Sequence, residues 1–174
     1  MKNKRFGIIG LGTIGRRVAE LAESFGSEVV YHSTSGKNLI NKYLHLSLYD
    51  LLSTSDVISV HCSLNEKTSN LLDARQLRMM KSTAFLLNMA RGGIVNEKAL
   101  ADAIDNGFIA GAGVDVLSHE PVQSENPLLT IKNKEKIFIT PHIAWASIES
   151  RKLLVEKLIE NIKEFQSKSN LHRE

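Results

Sequence analysis

Short apolar runs alternate along the chain with longer segments in which apolar residues recur every three or four positions. The short runs are apolar throughout rather than at every second position, as in IIG, VISV and FLLN. This pattern is typical of strands buried on both faces of a parallel sheet. It predicts six strands, at Phe6 to Ile9, Glu28 to Tyr31, Val57 to Cys62, Ala84 to Asn88, Ile109 to Val114 and Ile137 to Ile139.

The segments between these strands have helical periodicity. They predict helices from Thr13 to Phe25, around Leu48 to Leu52, from Asp73 to Met80 and from Glu97 to Asn106. Asn96 is the expected N-cap of the fourth helix, and Gly107 follows its last residue. Strict alternation of strand and helix predicts an α/β fold, a Rossmann-like doubly wound parallel sheet with helices on both faces. The 174 residues suit one domain.

A C-terminal helix is predicted from Ser147 to Phe165. Its charged residues lie away from a single apolar stripe, which is formed by Leu154, Leu158, Ile162 and Phe165. We expect this stripe to pack against another surface. The polar tail from Ser167 to Glu174 is expected to fray.

Charge and composition narrow the classes of function. The 22 basic and 19 acidic residues are scattered, and no basic run is dense enough to follow a phosphate backbone, which argues against nucleic acid. No apolar stretch approaches the ~20 residues that span a bilayer, and no signal peptide is recognisable. Cys62 is the single cysteine. We therefore expect a soluble protein of the reducing cytoplasm that binds an anionic small molecule, with no metal site.

The segment GLGTIG contains Gly10, Gly12 and Gly15. Such a pattern recurs by chance, but here it directly follows the first strand and opens the first helix, as a dinucleotide-binding loop requires. Gly10 permits the tight turn, Gly12 lets the backbone approach a pyrophosphate, and Gly15 lets the helix lie close to the strand. Thr13 and Ile14 belong to the first turn, whose N–H groups would face the phosphates.

The end of the second strand bears on the choice between NAD and NADP. An NAD-preferring site usually has an Asp or Glu there, which binds the adenosine ribose. This chain has His32, Ser33 and Thr34 instead. Nothing there repels a 2′-phosphate, and Ser35 and Lys37 add further donors. However, no Arg is present, and a hydroxyl-rich loop binds a plain ribose equally well, so both cofactors remain open.

Three further clusters carry a family resemblance. They are NMARGG at Asn88 to Gly93, GAGVDVLSHEP at Gly111 to Pro121 and TPHIAWAS at Thr140 to Ser147. With the glycine loop, and in this order, they resemble the D-2-hydroxyacid dehydrogenase family from Phe6 to Phe165. The resemblance implies an oxidoreductase that transfers a hydride between a nicotinamide cofactor and a small D-2-hydroxy acid or 2-keto acid.

The residue types in these clusters suit that chemistry. Reduction of a 2-keto acid needs a cation for the carboxylate and carbonyl, and an acid for the developing alkoxide. Arg91, beside two glycines that leave space, offers a planar fork; His142 is the natural proton donor, and Glu120 is a candidate to fix the imidazole. Each alone has a plainer structural interpretation, but their joint occurrence at strand ends favours catalysis. The resemblance assigns the same three roles and implies that Asp115 binds the nicotinamide carboxamide.

Trp145 bears on the substrate. The form HIAWAS is similar to that of hydroxypyruvate and glyoxylate reductases, which are glycerate dehydrogenase relatives, and this implies that Trp145 walls the substrate pocket of the partner subunit. The expected substrate is hydroxypyruvate or glyoxylate, with D-lactate or D-3-phosphoglycerate chemistry as alternatives. The competing interpretation of Trp145 is a core anchor. His61 and Cys62, inside the predicted third strand, are interpreted as core or cofactor-edge residues.

Family members carry a second, substrate-closing domain ahead of the first strand. We therefore expect residues 1–174 to be the cofactor domain of a truncated or split gene product or an isolated domain, which binds NAD(P) and alone turns over 2-keto acids slowly. The resemblance also implies a homodimer through the nucleotide-binding domain. The alternative is a non-enzymatic dinucleotide-binding or regulatory module, because corepressors similar to this family keep the same residues.

Overall fold

A computed structural model describes residues 1–37 and 39–170, with side chains to residue 168. The chain divides into two compact units. The first is Met1–Pro141, and the second begins at His142.

The first unit is built on a sheet of seven strands, and every pairing is parallel. The strands are β1 (Arg5–Ile9), β2 (Glu28–His32), β3 (Leu44–His45), β4 (Val57–Val60), β5 (Phe85–Asn88), β6 (Gly111–Val114) and β7 (Ile137–Ile139). Their order is β3-β2-β1-β4-β5-β6-β7. The sheet therefore grows outward in both directions from the β1–β4 pair, which confirms the predicted doubly wound fold.

Four helices of this unit cover both faces of the sheet. They are α1 (Thr13–Ser24), α2 (Leu48–Thr54), α3 (Ala74–Leu77) and α4 (Glu97–Asp105). Ala19 and Ala22 of α1 belong to one apolar cluster, with Ile8 and Tyr31 of the sheet. The other cluster joins α2, α3 and α4 to the sheet through Leu51, Leu52, Leu77, Leu100, Ile104, Ile9 and Ile58. Because α1 lies on the opposite face from α2, a crevice opens between the carboxyl ends of β1 and β4.

Several predicted boundaries were wrong for identifiable reasons. The two-residue β3 was missed. The predicted third strand ends at Val60, so His61 and Cys62 lie beyond it. His61 N–H still donates to Ile9 O, the last residue of β1, at 2.8 Å, but the next residue, Gly10, has a φ of +94° and leaves the extended conformation. Helix α3 is a single turn, because the following N–H groups bond three residues back, as in a 3₁₀ helix.

Other predicted boundaries lie closer to the observed ones. Strands β5 and β6 begin after the predicted Ala84 and Ile109. Asn96 caps α4, since its side chain accepts from Ala99 N–H at 3.0 Å. Gly107 has a φ of +70°, as expected after a helix end.

The second unit contains helix α5 (Ile148–Asn170). Ser147 caps it by accepting from Ser150 N–H at 3.1 Å. The helix continues past the predicted end at Phe165 as far as Asn170, and residues 171–174 of the tail that is predicted to fray lie outside the described part. The predicted apolar stripe, Leu154, Leu158, Ile162 and Phe165, is exposed. Among the described residues, no helix has both the length and the apolar character to cross a bilayer.

Candidate functional site

Packing requires two of the three loop glycines. Gly10 has a φ of +94°, and a Cβ there would lie 2.6 Å from Cys62 N. A Cβ on Gly15 would lie 2.2 Å from the carbonyl oxygen of Gly10. These contacts set the start of α1 directly over the end of β1.

Gly12 differs from both. Its φ of −78° suits any residue, and apart from its own chain neighbours no described residue has an atom within 4 Å of a Cβ built on it. Gly12 is also the N-cap of α1, without a side-chain hydrogen bond, and the first helical bond is from Arg16 N–H to Gly12 O at 2.9 Å. The N–H groups of Thr13 to Gly15 have no partner within the helix and border the same open space. This arrangement fits a pyrophosphate at the helix N-terminus.

A cleft of about 500 Å³ opens at the carboxyl ends of the central strands. It is lined by the exposed Ile14 of α1, by residues 61–64 after β4 and by residues 89–91 after β5. The structure therefore brings the predicted phosphate loop and Arg91 to one cleft.

The turn that carries Arg91 is held by Asn88, whose role the sequence analysis missed. Asn88 is buried; its Nδ2 donates to Arg91 O at 3.2 Å, and its Oδ1 accepts from Ala90 N–H at 3.2 Å. The Arg91 side chain is exposed and donates one bond to Ala90 O at 2.7 Å. A polar residue at the end of an apolar strand was the available signal.

The space predicted beside Arg91 is filled at Gly92. A Cβ there would lie 2.0 Å from the carbonyl oxygen of Leu117. The glycine therefore admits the loop that follows β6, rather than leaving room for a substrate.

Asp115 lies buried at the end of β6. Its N–H donates to Asn88 O at 3.0 Å, and its Oδ1 accepts from Thr140 Oγ1 at 2.5 Å. Glu120 lies on the loop beyond and is exposed; its Oε1 accepts from Leu117 N–H at 3.1 Å. Both therefore belong to the strand-end edge that carries Arg91.

The end of β2 contains imidazoles and hydroxyls. His32 Nδ1 donates to Leu46 O at 3.0 Å, and its ring stacks on His45 at 6.0 Å between centroids. Ser33 is buried, and its N–H donates to His45 Nε2 at 3.4 Å; Thr34 is half-buried. No carboxylate belongs to this strand end.

Two uncharged groups line the cleft after β4. His61 Nε2 is hydrogen-bonded to Ser59 Oγ at 2.8 Å, and burial lowers the pKa of His61 to about 4. Burial also raises the pKa of the Cys62 thiol to about 11. Both side chains are thus neutral at pH 7, which suits the predicted cofactor-edge position.

His142 and Trp145 belong to the second unit. His142 has a φ of +54°, a left-handed conformation that costs a non-glycine residue roughly 1 kcal/mol or more and that clusters at functional sites. The indole Nε1 of Trp145 donates to His142 O at 2.9 Å, and Trp145 is 51% exposed. That exposure contradicts a core anchor.

Among the described residues, no group of three or more His, Cys, Asp or Glu is placed to hold a metal ion. A doubly wound parallel sheet with a glycine loop at its central crevice is the architecture of a dinucleotide-binding domain. Residues 1–144 match the family model described as D-isomer specific 2-hydroxyacid dehydrogenase, NAD binding domain. The chain belongs to this family.

Similar proteins agree with the family assignment. A glyoxylate reductase from Aeropyrum pernix is 40% identical over 95% of this chain and 49% of its own length. A hydroxypyruvate reductase from Blautia hydrogenotrophica is 39% identical over 95% of this chain and 51% of its own length. A solved acyclic imino acid reductase, in complex with NADPH and D-arginine, is 33% identical, with a TM-score of 0.88 over 96% of this chain and 52% of its own. The chain spans about half the length of these relatives.

Gly12→Ser separates a ligand requirement from a folding requirement. Serine is a good N-cap, so the free energy of unfolding should stay the same or rise, while the added side chain fills the space for the pyrophosphate. We expect NAD(P)H affinity, measured by fluorescence titration, to fall about tenfold or more. The control, Gly10→Ser, should lower the unfolding free energy. Unchanged cofactor affinity in Gly12→Ser would contradict this account of the loop.

His61 should make stability depend on pH. The unfolded chain protonates this imidazole near pH 6.5, whereas the folded chain does so only near pH 4. Stability is therefore lost as the pH falls between these values. Because the ring is partly exposed, we expect the parent to lose about 2 kcal/mol more than His61→Gln between pH 7 and pH 4.5 in urea unfolding. His119→Gln is the control and should follow the parent. If the unfolding free energies of the parent and His61→Gln fell in parallel with pH, this prediction would be wrong.

Proposed function

We propose that this chain is the cofactor-binding part of an NAD(P)-dependent D-2-hydroxyacid dehydrogenase that reduces a small 2-keto acid. The observation that carries the proposal is that the first turn of α1 and Arg91 line the same cleft. Glyoxylate and hydroxypyruvate are the proposed substrates, because similar proteins are named as reductases of these acids and Trp145 stands in the matching motif.

The proposed roles of Arg91, His142 and Glu120 follow from the chemistry of their side chains, and the role of Asp115 is the one that the family resemblance implies. Bound NAD(P)H supplies the hydride. The Arg91 guanidinium binds the carboxylate and carbonyl oxygen of the 2-keto acid, and Asp115 accepts the amide N–H of the nicotinamide carboxamide. His142 donates a proton to the alkoxide oxygen as it develops, and Glu120 orients the imidazole.

The neutral lining after β4 supports the same chemistry. His61 and Cys62 border the cleft without charge, so the cationic Arg91 there has no competing anion from either side chain.

The end of β2 supports use of NADP(H) as well as NAD(H). His32 and His45 hold each other and Leu46, so this edge presents hydroxyl and amide donors from Thr34 to Lys37 rather than a carboxylate. Such groups donate hydrogen bonds equally well to a ribose hydroxyl or to a 2′-phosphate. We infer that NADPH binds within about tenfold of NADH, or more tightly.

The resemblance further supports a homodimer in the cytoplasm. Cys62 is the single cysteine and is buried, which agrees with a reducing compartment. Sedimentation equilibrium should give twice the 19.3 kDa mass of the chain. A monomer across the micromolar range would contradict the dimer.

The activity is best tested under single-turnover conditions, with the chain in excess over NADH or NADPH, so that slow conversion is visible. We expect glyoxylate or hydroxypyruvate to oxidise both cofactors. Arg91→Lys, which loses the planar fork, should lower the rate about 100-fold. Arg17→Lys, an exposed change on α1, is the matched control.

Three outcomes would contradict parts of this proposal. Tight cofactor binding without oxidation by any small 2-keto acid would favour the non-enzymatic regulatory module. Equal rates for the parent and Arg91→Lys would remove Arg91 from the substrate site. A preference of clearly more than about tenfold for NADH would contradict the proposed use of NADPH.

A further inference from the structure

Glu97 connects helix α4 to the loop that follows β6. Its Oε1 accepts from Ser118 N–H at 2.6 Å and from Ser118 Oγ at 2.8 Å, and its Oε2 accepts from Asn126 Nδ2 at 2.7 Å. These partners lie 21 and 29 residues further along the chain. Both oxygens of one carboxylate thus bind two separate points of the same loop.

The bound segment includes Glu120. Ser118 and Asn126 lie on either side of it, and Glu120 itself accepts from Leu117 N–H at 3.1 Å. Asn126 is buried, and its Oδ1 accepts from Leu128 N–H at 2.9 Å, which starts the short 3₁₀ helix Pro127–Leu129. The end of the loop at Asn126 is therefore fixed to the core, and Glu97 links the other end, at Ser118, to Asn126.

Glu97 also lies close in sequence to Arg91. The turn that carries Arg91 continues through buried Ile94 and Val95 to Asn96, which caps α4. On the way, Gly92 admits the carbonyl oxygen of Leu117 into close contact. The start of α4 therefore fixes the positions of both the turn that carries Arg91 and the loop that carries Glu120.

We propose that Glu97 is a positioning residue that holds residues 117–126 and so fixes the carboxylate of Glu120 relative to the Arg91 turn. The catalytic consequence of this inference rests on the proposed function, but the hydrogen bonds of Glu97 to Ser118 and Asn126 are independent of activity. A carboxylate suits this task because hydrogen bonds to a charged acceptor are stronger than neutral ones, and its two oxygens have fixed separation. The competing view is that Glu97 acts only within α4, as an acidic residue in its first turn.

The test uses the polarity of the Glu97–Asn126 contact in the full chain. Glu97→Gln should weaken it, because an amide has only one acceptor oxygen: when that oxygen accepts from Ser118, its NH₂ group faces the NH₂ group of Asn126. Asn126→Asp should weaken it by pairing two carboxylates. In the double variant the introduced amide N–H donates to the introduced carboxylate, while the introduced amide oxygen still accepts from Ser118. Hydrogen exchange of backbone amides, followed by NMR, reads the result at Ser118 and Leu117.

We expect each single change to raise the exchange rates of both amides about tenfold, and the double variant to restore them to within about threefold of the parent. Leu117 is the decisive amide, because it bonds to Glu120 and not to Glu97. Exchange at Leu117 that stays at the parent rate in both single variants would overturn the proposal. Failure of the double variant to restore protection would overturn it as well.

Two controls separate folding and function from the hydrogen bonds of Glu97. Asp102→Asn breaks the exposed pair with Lys98 on the same helix and should leave both amides at the parent rate. Cofactor affinity should stay within about twofold in every variant, since the glycine loop is untouched. If the parent chain shows no 2-keto acid reduction, the proposed function fails, while the exchange data still decide whether Glu97 holds the loop.

Discussion

The close approach of helix α1 to strand β1 is the contact on which the site depends. Gly15 packs against the carbonyl of Gly10 so closely that a Cβ would lie 2.2 Å from that oxygen. Because Gly10 in turn lies against the backbone of Cys62, the start of the helix, the end of β1 and the end of β4 meet at one point. The cleft and its helix N-terminus follow from this meeting, and any side chain at Gly10 or Gly15 would force the three elements apart.

A second set of contacts joins the outer strands to that point. The side chain of Asn88 shapes the turn of Arg91, and its backbone carbonyl binds Asp115 at the end of the neighbouring β6. Gly92 then lets the following loop pack against the same turn. The Arg91 turn and Asp115 are therefore held by contacts between adjacent strand ends, which come from the Asn88 side chain and from the backbone.

The sequence was informative where a local rule acts. Apolar periodicity located six of the seven strands, and the glycine spacing, read with its neighbouring strand and helix, located the tight loop between β1 and α1. The hydrophobic pattern alone missed β3, because two residues form a strand only when the edge of β2 is available for pairing. It also extended the third strand to Cys62, because an apolar run does not mark the residue at which the pairing with β1 ends. Glu97 was missed because its partners lie 21 and 29 residues further along the chain. Asn88 was missed for another reason: its bonds to Ala90 and Arg91 are local, but they form only in the turn that this segment adopts after β5.

The comparison of Gly12 with its neighbours carries the central claim that this crevice holds a dinucleotide: packing of the described residues explains Gly10 and Gly15 but leaves Gly12 to a ligand. The most direct measurement is an NMR titration of the ¹⁵N-labelled chain with NADH and NADPH. The account predicts that the largest amide shifts fall at residues 11–15, 61–64 and 89–91, with smaller ones at 32–37. Shifts confined to other surfaces, or none at millimolar cofactor, would contradict it.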